Sequence, residues 1–91
     1  MKHLPANLAL HKRTKVFTAE TLPDAMQTEH RTADGTWGKI NVLKGELEYA
    51  ILGQSPEWHL LRPEKPGVIE PDTPHRVAPQ GEVEFFVEFY K

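Results

Sequence analysis

Two histidines, His30 and His75, are the side chains of this 91-residue sequence best suited to chemistry. Neutral imidazole is a common metal ligand and a ready proton carrier near neutral pH. Each lies in a short run that reads as a strand or strand edge, where side chains alternate between faces with period two. In residues 25–31, Gln27, Glu29 and Arg31 share one face, and Met26, Thr28 and His30 share the other. The first face reads as solvent, so His30 is expected to point inward. In residues 75–78, His75 shares its face with Val77 while Arg76 lies opposite, so His75 is also expected inside. The closing run 82–90 carries Glu84, Phe86, Glu88 and Tyr90 on its second face. If that face lines a pocket, Glu88 or Glu84 supplies a carboxylate beside the two imidazoles. Two histidines and one carboxylate, with open positions left over, suit a divalent transition metal such as Zn, Fe, Mn or Ni.

A single inward histidine is more often a hydrogen-bonded core residue than a ligand. The remaining histidines rank lower. His3 and His11 sit in a basic N-terminal stretch, and His59, between Trp58 and Leu60, reads as surface. Trp37 opens a strand after a tight turn and reads as core or as a pocket wall. There is no phosphate-cradling glycine loop, no GxSxG and no HExxH, and the lone serine, Ser55, has no partner for nucleophilic catalysis.

The elements that must hold these residues are short. Turn signals at Pro23-Asp24, Asp34-Gly35, Lys44-Gly45, Gly53–Pro56, Pro66-Gly67, Pro71–Pro74 and Pro79–Gly81 cut the chain into pieces too short for most helices. Strands are expected at 14–18, 25–31, 37–43, 46–52, 57–62, 67–70, 75–78 and 82–90, a spacing that suggests a sandwich or barrel. The pair flanking Lys44-Gly45 reads as a hairpin. In the last run Val83, Phe85, Val87 and Phe89 form one apolar face.

The length allows one domain, expected at 14–91 behind an N-terminal arm at 1–13. Residues 1–15 contain four cations and no acid, which leaves seven cations against thirteen carboxylates in residues 16–91. A body this acidic is a poor nucleic-acid binder, because that affinity comes largely from cations neutralising phosphates. Cysteine is absent, which excludes disulfides and thiolate chemistry and leans toward a cytoplasmic location. No segment reads as a signal peptide or a membrane span.

The run from His30 through Trp37 and Gly45 to Tyr49, the run Pro66–His75 and the closing Phe85–Tyr90 together resemble a small cupin-type family. That family includes the YeaR-like proteins and the short domain attached to TehB-type tellurite-resistance proteins. The resemblance covers residues 14–91 and implies an all-β, cupin-like double-stranded β-helix (jelly-roll) barrel, often a homodimer, with a metal-capable lumen. His75 matches the second-motif histidine and Gly45 the glycine ending the first motif. Gly38 stands where a first-motif glutamate is usual, so Glu88 is expected to compensate. TehB-type activity, by the same resemblance, belongs to a methyltransferase domain that uses S-adenosylmethionine, for which this chain has no room.

The expectation is therefore a metal-binding module for a small polar or anionic ligand, in a stress or oxyanion response. His30, His75 and Glu88 would be ligands, and Trp37 and Phe86 would wall the pocket. A metal-dependent enzyme and a metal-free binding or dimerisation module are the alternatives.

Overall fold

The computed structural model describes residues 1–91 and is built around one long antiparallel ribbon. Its strands are β3 (Trp37–Ile51) and β6 (His75–Tyr90), which pair from Trp37↔Tyr90 to Ile51↔His75. Four shorter strands flank them. Strands β1 (Leu10–Arg13) and β2 (Phe17–Thr18) pair with the C-terminal half of β6. Strand β4 (Glu57–Leu61) pairs with the second half of β3, and β5 (Gly67–Ile69) with its first half. A 3-10 turn at Asp24–Gln27 completes the regular structure. No helix is long and apolar enough to cross a membrane.

Alternation decides which face is inside. Ile40 and Val42 on β3 and Val83, Phe85 and Val87 on β6 are buried, while Lys39, Asn41, Glu84 and Phe86 between them are not. After the bulges the phase resumes with Leu47, Tyr49 and Ile51 on β3, facing Val77 and His75 on β6. All the buried apolar residues of both halves except Ala50 belong to one core cluster, so the ribbon folds over on itself and its two halves meet across that core.

Three expectations need correction. The segments 37–43 and 46–52 are one strand, not the arms of a hairpin. Lys44-Gly45 forms a bulge, marked by register shifts between Val42/Lys44 and Gly45/Glu46. A glycine at positive φ serves a bulge as well as a turn, and here it bends the strand without reversing it. Likewise 75–78 and 82–90 are one strand, bent opposite that bulge near Gly81. Residues 25–31 are not a strand, because Pro23 and the 3-10 turn occupy its start and only His30 makes a bridge.

The fold is all-β as expected, but the sheet is antiparallel and open, with order β1-β6-β3-β4, rather than a closed jelly-roll barrel. Each half of the ribbon carries only short flanking strands, and β1 and β4 remain edges. Edge strand β4 exposes Trp58 and Leu60 on its outer face. Residues 10–13 of the expected arm join the sheet as β1, and Ala9 and Lys91 exchange backbone hydrogen bonds of 3.0 and 3.1 Å just beyond it.

Gly45 marks a close approach of the two long strands. It has φ of 81°, and a Cβ there would collide with the backbone carbonyl of Glu82. Gly81 has φ of 76° but open space around it. Replacing Gly81 by alanine should cost about 1 kcal/mol, the strain of a left-handed non-glycine residue. Gly45→Ala should cost about 2–3 kcal/mol, because the strands must also separate. Urea unfolding of the two variants checks the difference, which isolates the close approach from the shared φ.

Candidate functional site

His30 and His75 are brought together, and the backbone does it. The two residues exchange N–H···O hydrogen bonds of 2.8 and 2.9 Å, an isolated antiparallel bridge that docks the segment after the 3-10 turn onto the start of β6. Their rings stand edge to face, with centroids 5.6 Å apart and planes at 80°. The segment is secured again at Arg31, whose Nη1 donates to the Asp72 carbonyl at 3.1 Å and meets its carboxylate at 3.4 Å. Asp72 adopts the left-handed conformation (φ 49°), which short polar side chains tolerate.

The two imidazoles sit in different surroundings. His75 is buried at 5% exposure, as alternation predicts. Its Nδ1 lies 2.9 Å from the Thr73 carbonyl, an acceptor, so Nδ1 carries the proton and donates, and Nε2 keeps its lone pair. Burial foremost, and then the neighbouring His30, hold His75 below its usual pKa despite that hydrogen bond. His30 is exposed, which corrects the expectation that it points into the core. It stands instead at the rim of a small cavity of about 30 Å³. The cavity floor is apolar, with Ile40, Val77, Phe85 and Val87 beside His75.

Outside the mouth lies an open groove of about 310 Å³. His30, Thr32 and Phe89 border both spaces. Lys12 from β1, Arg31, Thr36 and Lys91 line only the groove. Thr32 ties the loop beneath, its hydroxyl donating to the Thr36 carbonyl at 3.0 Å. Of the groove residues only His30 is legible as a site residue in the sequence; Lys12, Arg31, Thr32, Thr36 and Lys91 are not. The signal was faint: two threonines flanking the Asp34-Gly35 turn, and a lysine in a strand assigned to an arm.

The other expected site residues are elsewhere. Glu88 is nearly buried but projects from the opposite face of β6, where Arg13 donates to it at 2.8 Å and Asn41 at 3.0 Å. The Arg13 hydrogen bond foremost holds this carboxyl below its usual range. Phe86 lies on the same outer face, 4.9 Å beneath the Arg13 guanidinium. Trp37 pairs with Tyr90 and alternates with the buried Gly38 and Ile40, so it too faces outward. Neither Trp37 nor Phe86 lines the cavity or the groove. His59, expected at the surface, is half-buried beside Tyr49, with its Nε2 3.2 Å from a Glu57 carboxylate oxygen.

The expected metal-binding cupin function, and with it a divalent Zn, Fe, Mn or Ni cofactor, is overturned. No group of three or more His, Cys, Asp or Glu side chains is placed to hold a metal ion. The cause is strand phase: Glu88 and the inward residues of β6 fall on opposite faces, and Arg13 claims the carboxylate.

Comparison with known proteins points away from a cupin metal site as well. The profile of the TehB-like domain family matches residues 12–87. A protein of Haemophilus influenzae named probable S-adenosyl-L-methionine-dependent methyltransferase TehB is 36% identical over 88 residues, which span 91% of this chain and 31% of that protein. Its counterpart in another strain of that species is 35% identical over the same length. The chain thus spans about a third of the curated relatives it matches. The crystal structure of TehB from Haemophilus influenzae superposes with a TM-score of 0.83 at 34% identity, over 93% of this chain and 32% of that one. A protein of Escherichia coli K12 superposes with a TM-score of 0.89 over 100% of this chain and 97% of its own, and at 18% identity it shares the fold.

The burial of His75 sets a pH dependence. Its pKa falls below the open-chain value of 6.5, so the unfolded state takes up the proton first. The stability contributed by neutral His75 is therefore complete above pH about 6.5 and is lost as pH falls toward the folded value. Urea midpoints of the wild type should drop between about pH 7.5 and pH 5. His75→Asn keeps a donor for the Thr73 carbonyl and does not titrate, so its midpoint, lower throughout, should change less over that window.

Proposed function

The chain belongs to the TehB-like domain family, and on that premise we propose that it is a ligand-holding module serving S-adenosylmethionine-dependent methyl transfer, with the transfer machinery in a separate domain. The observation that carries this reading is the shared mouth at His30 and Thr32. One small apolar cavity and one open groove lined mostly by polar residues meet there, an arrangement suited to holding a small molecule by an apolar end and a polar end.

The residues present do not fit the methyl donor. A cofactor of that size takes a pocket of roughly 300–1,000 Å³, and the inner cavity is far smaller at about 30 Å³. The groove has the volume, but its wall carries Lys12, Arg31 and Lys91 and no carboxylate side chain. The donor's sulfonium is itself a cation, which such a wall repels. No step of methyl transfer is therefore assigned to this chain's own side chains. Its proposed part is to retain the acceptor, or a product of the reaction.

The isolated chain should retain no S-adenosylmethionine in equilibrium dialysis and should form no S-adenosylhomocysteine by itself. Polar small molecules that bind should perturb the ring resonances of His30 and His75, and His30→Ala should weaken them. Micromolar retention of the methyl donor would overturn the proposal.

A further inference from the structure

We propose that the ligand end reaching the inner cavity carries one neutral donor, a primary hydroxyl or thiol, and that this donor hydrogen-bonds to His75 Nε2. This inference rests on the ligand-holding reading above and names the chemistry of the ligand's inner end. An open acceptor, its protonation state and the wall around it support the assignment.

The acceptor is a ring nitrogen in a buried residue. His75 is 5% exposed, and it lines the cavity but not the outer groove. Its Nδ1 donates to the Thr73 carbonyl, which leaves Nε2 as the acceptor of the ring. Nε2 has no hydrogen-bond partner in the protein, yet it is not sealed in, because Thr36 Oγ1 is the one unpaired side-chain atom closed off from its surroundings. Buried polar groups are paired with few exceptions, so an accessible, unpaired nitrogen at this depth calls for a partner from outside the chain.

The state of the ring selects that partner. Burial holds His75 below its usual pKa, so the imidazole is neutral near neutral pH. With the proton on Nδ1, Nε2 accepts and cannot donate. A carboxylate there would set lone pair against lone pair. An ammonium group would have to shed its water for a single acceptor, at a cost the site does not repay. A neutral O–H or S–H meets neither obstacle.

The wall sets size and shape. Ile40, Ile69, Val77, Phe85 and Val87 offer no side-chain hydrogen bond. The volume is about 30 Å³, and about 10–15 Å³ holds one water, so roughly two heavy atoms fit. Water itself suits the place poorly, since it takes roughly two to four polar partners and this wall is apolar. One carbon bearing a hydroxyl or thiol matches both requirements, with its donor on Nε2 and its carbon on the wall. The rest of the molecule passes His30 and Thr32 into the groove, which these two residues also border.

The test is a titration of the ¹⁵N-labelled full chain at about pH 7.5, where His75 is neutral. The probes are ethanol, ethanethiol, dimethyl ether, acetate and ethylammonium. Ethanol or ethanethiol should move the His75 Nε2 resonance saturably toward its hydrogen-bonded position while Nδ1 stays in place. Affinity is expected in the millimolar range, as befits so few atoms. Dimethyl ether, of similar size without a donor, should bind several-fold more weakly, and the two ions more weakly still. A stronger response to ethanol assigns a hydroxyl, and a stronger response to ethanethiol assigns a thiol. Val77→Ile adds a methyl group to the wall and should abolish the response while His75 keeps its tautomer; should that variant fail to fold, the five probes on the wild type decide. The inference is overturned if neither ethanol nor ethanethiol saturates, or if a folded Val77→Ile binds them as the wild type does. Equal binding of dimethyl ether, or tighter binding of either ion, defeats it and leaves the ligand-holding reading standing. Retention of S-adenosylmethionine defeats that reading instead.

Discussion

The pairing of β3 with β6 is the constraint on which the rest of the molecule depends. Each of these strands runs the full length of the ribbon, and every other strand adds to one of them. Because side-chain direction alternates strictly, one register places all of Ile40, Val42, Phe85 and Val87 inside, and a slip of one residue would turn them out. The bulge at Gly45 gives that ribbon its bend. It accommodates the extra residue by letting the Glu82 backbone approach where any side chain would stand. The cavity exists because the two halves then face each other, with Phe85 and Val87 from one and His75 and Val77 from the other.

The polar groups divide between two faces, and each face handles charge differently. On the inner face His75 is kept neutral by burial, and its single donated hydrogen bond goes to Thr73. The Tyr49 phenol, also inside, is pushed up in pKa by burial and donates to the Val68 carbonyl at 2.8 Å. On the outer face Glu88 stays ionised because Arg13 and Asn41 satisfy it, and the pair fastens β1 to the sheet. A carboxylate on the inner face would have no such partners, which is why the acid and the imidazoles never share a site.

The sequence made some of this legible and hid the rest for physical reasons. The alternation in Val83–Phe89 was readable because a half-buried strand must repeat with period two. The inward direction of His75 followed from the same rule. Lys44-Gly45 reads as a hairpin and is a bulge because positive φ at glycine serves turns and bulges alike; only the long-range partner, Glu82, decides between them. Alternation places His30 in the core only if residues 25–31 form a strand, and Pro23 and a 3-10 turn break that pattern. Its nearness to His75 depends on a bridge between residues 45 positions apart, which local pattern does not encode. Alternation puts Glu88 on the face of Glu84 and Phe86, but does not say that this face is the outer one. The groove is not legible in the sequence because its members come from β1, the 30–36 loop, Phe89 of β6 and Lys91, and apart from His30 none is informative alone.

The bridge between His30 and His75 uses main-chain atoms only, so the polypeptide path at the mouth does not depend on what side chain position 30 carries. Scaffold and chemistry are uncoupled there. Evolution can exchange the residue at the rim without redesigning the frame, and so can a protein engineer. Related chains can thus diverge in what they select while keeping one shape, and position 30 is the natural place to randomise when a new selectivity is sought.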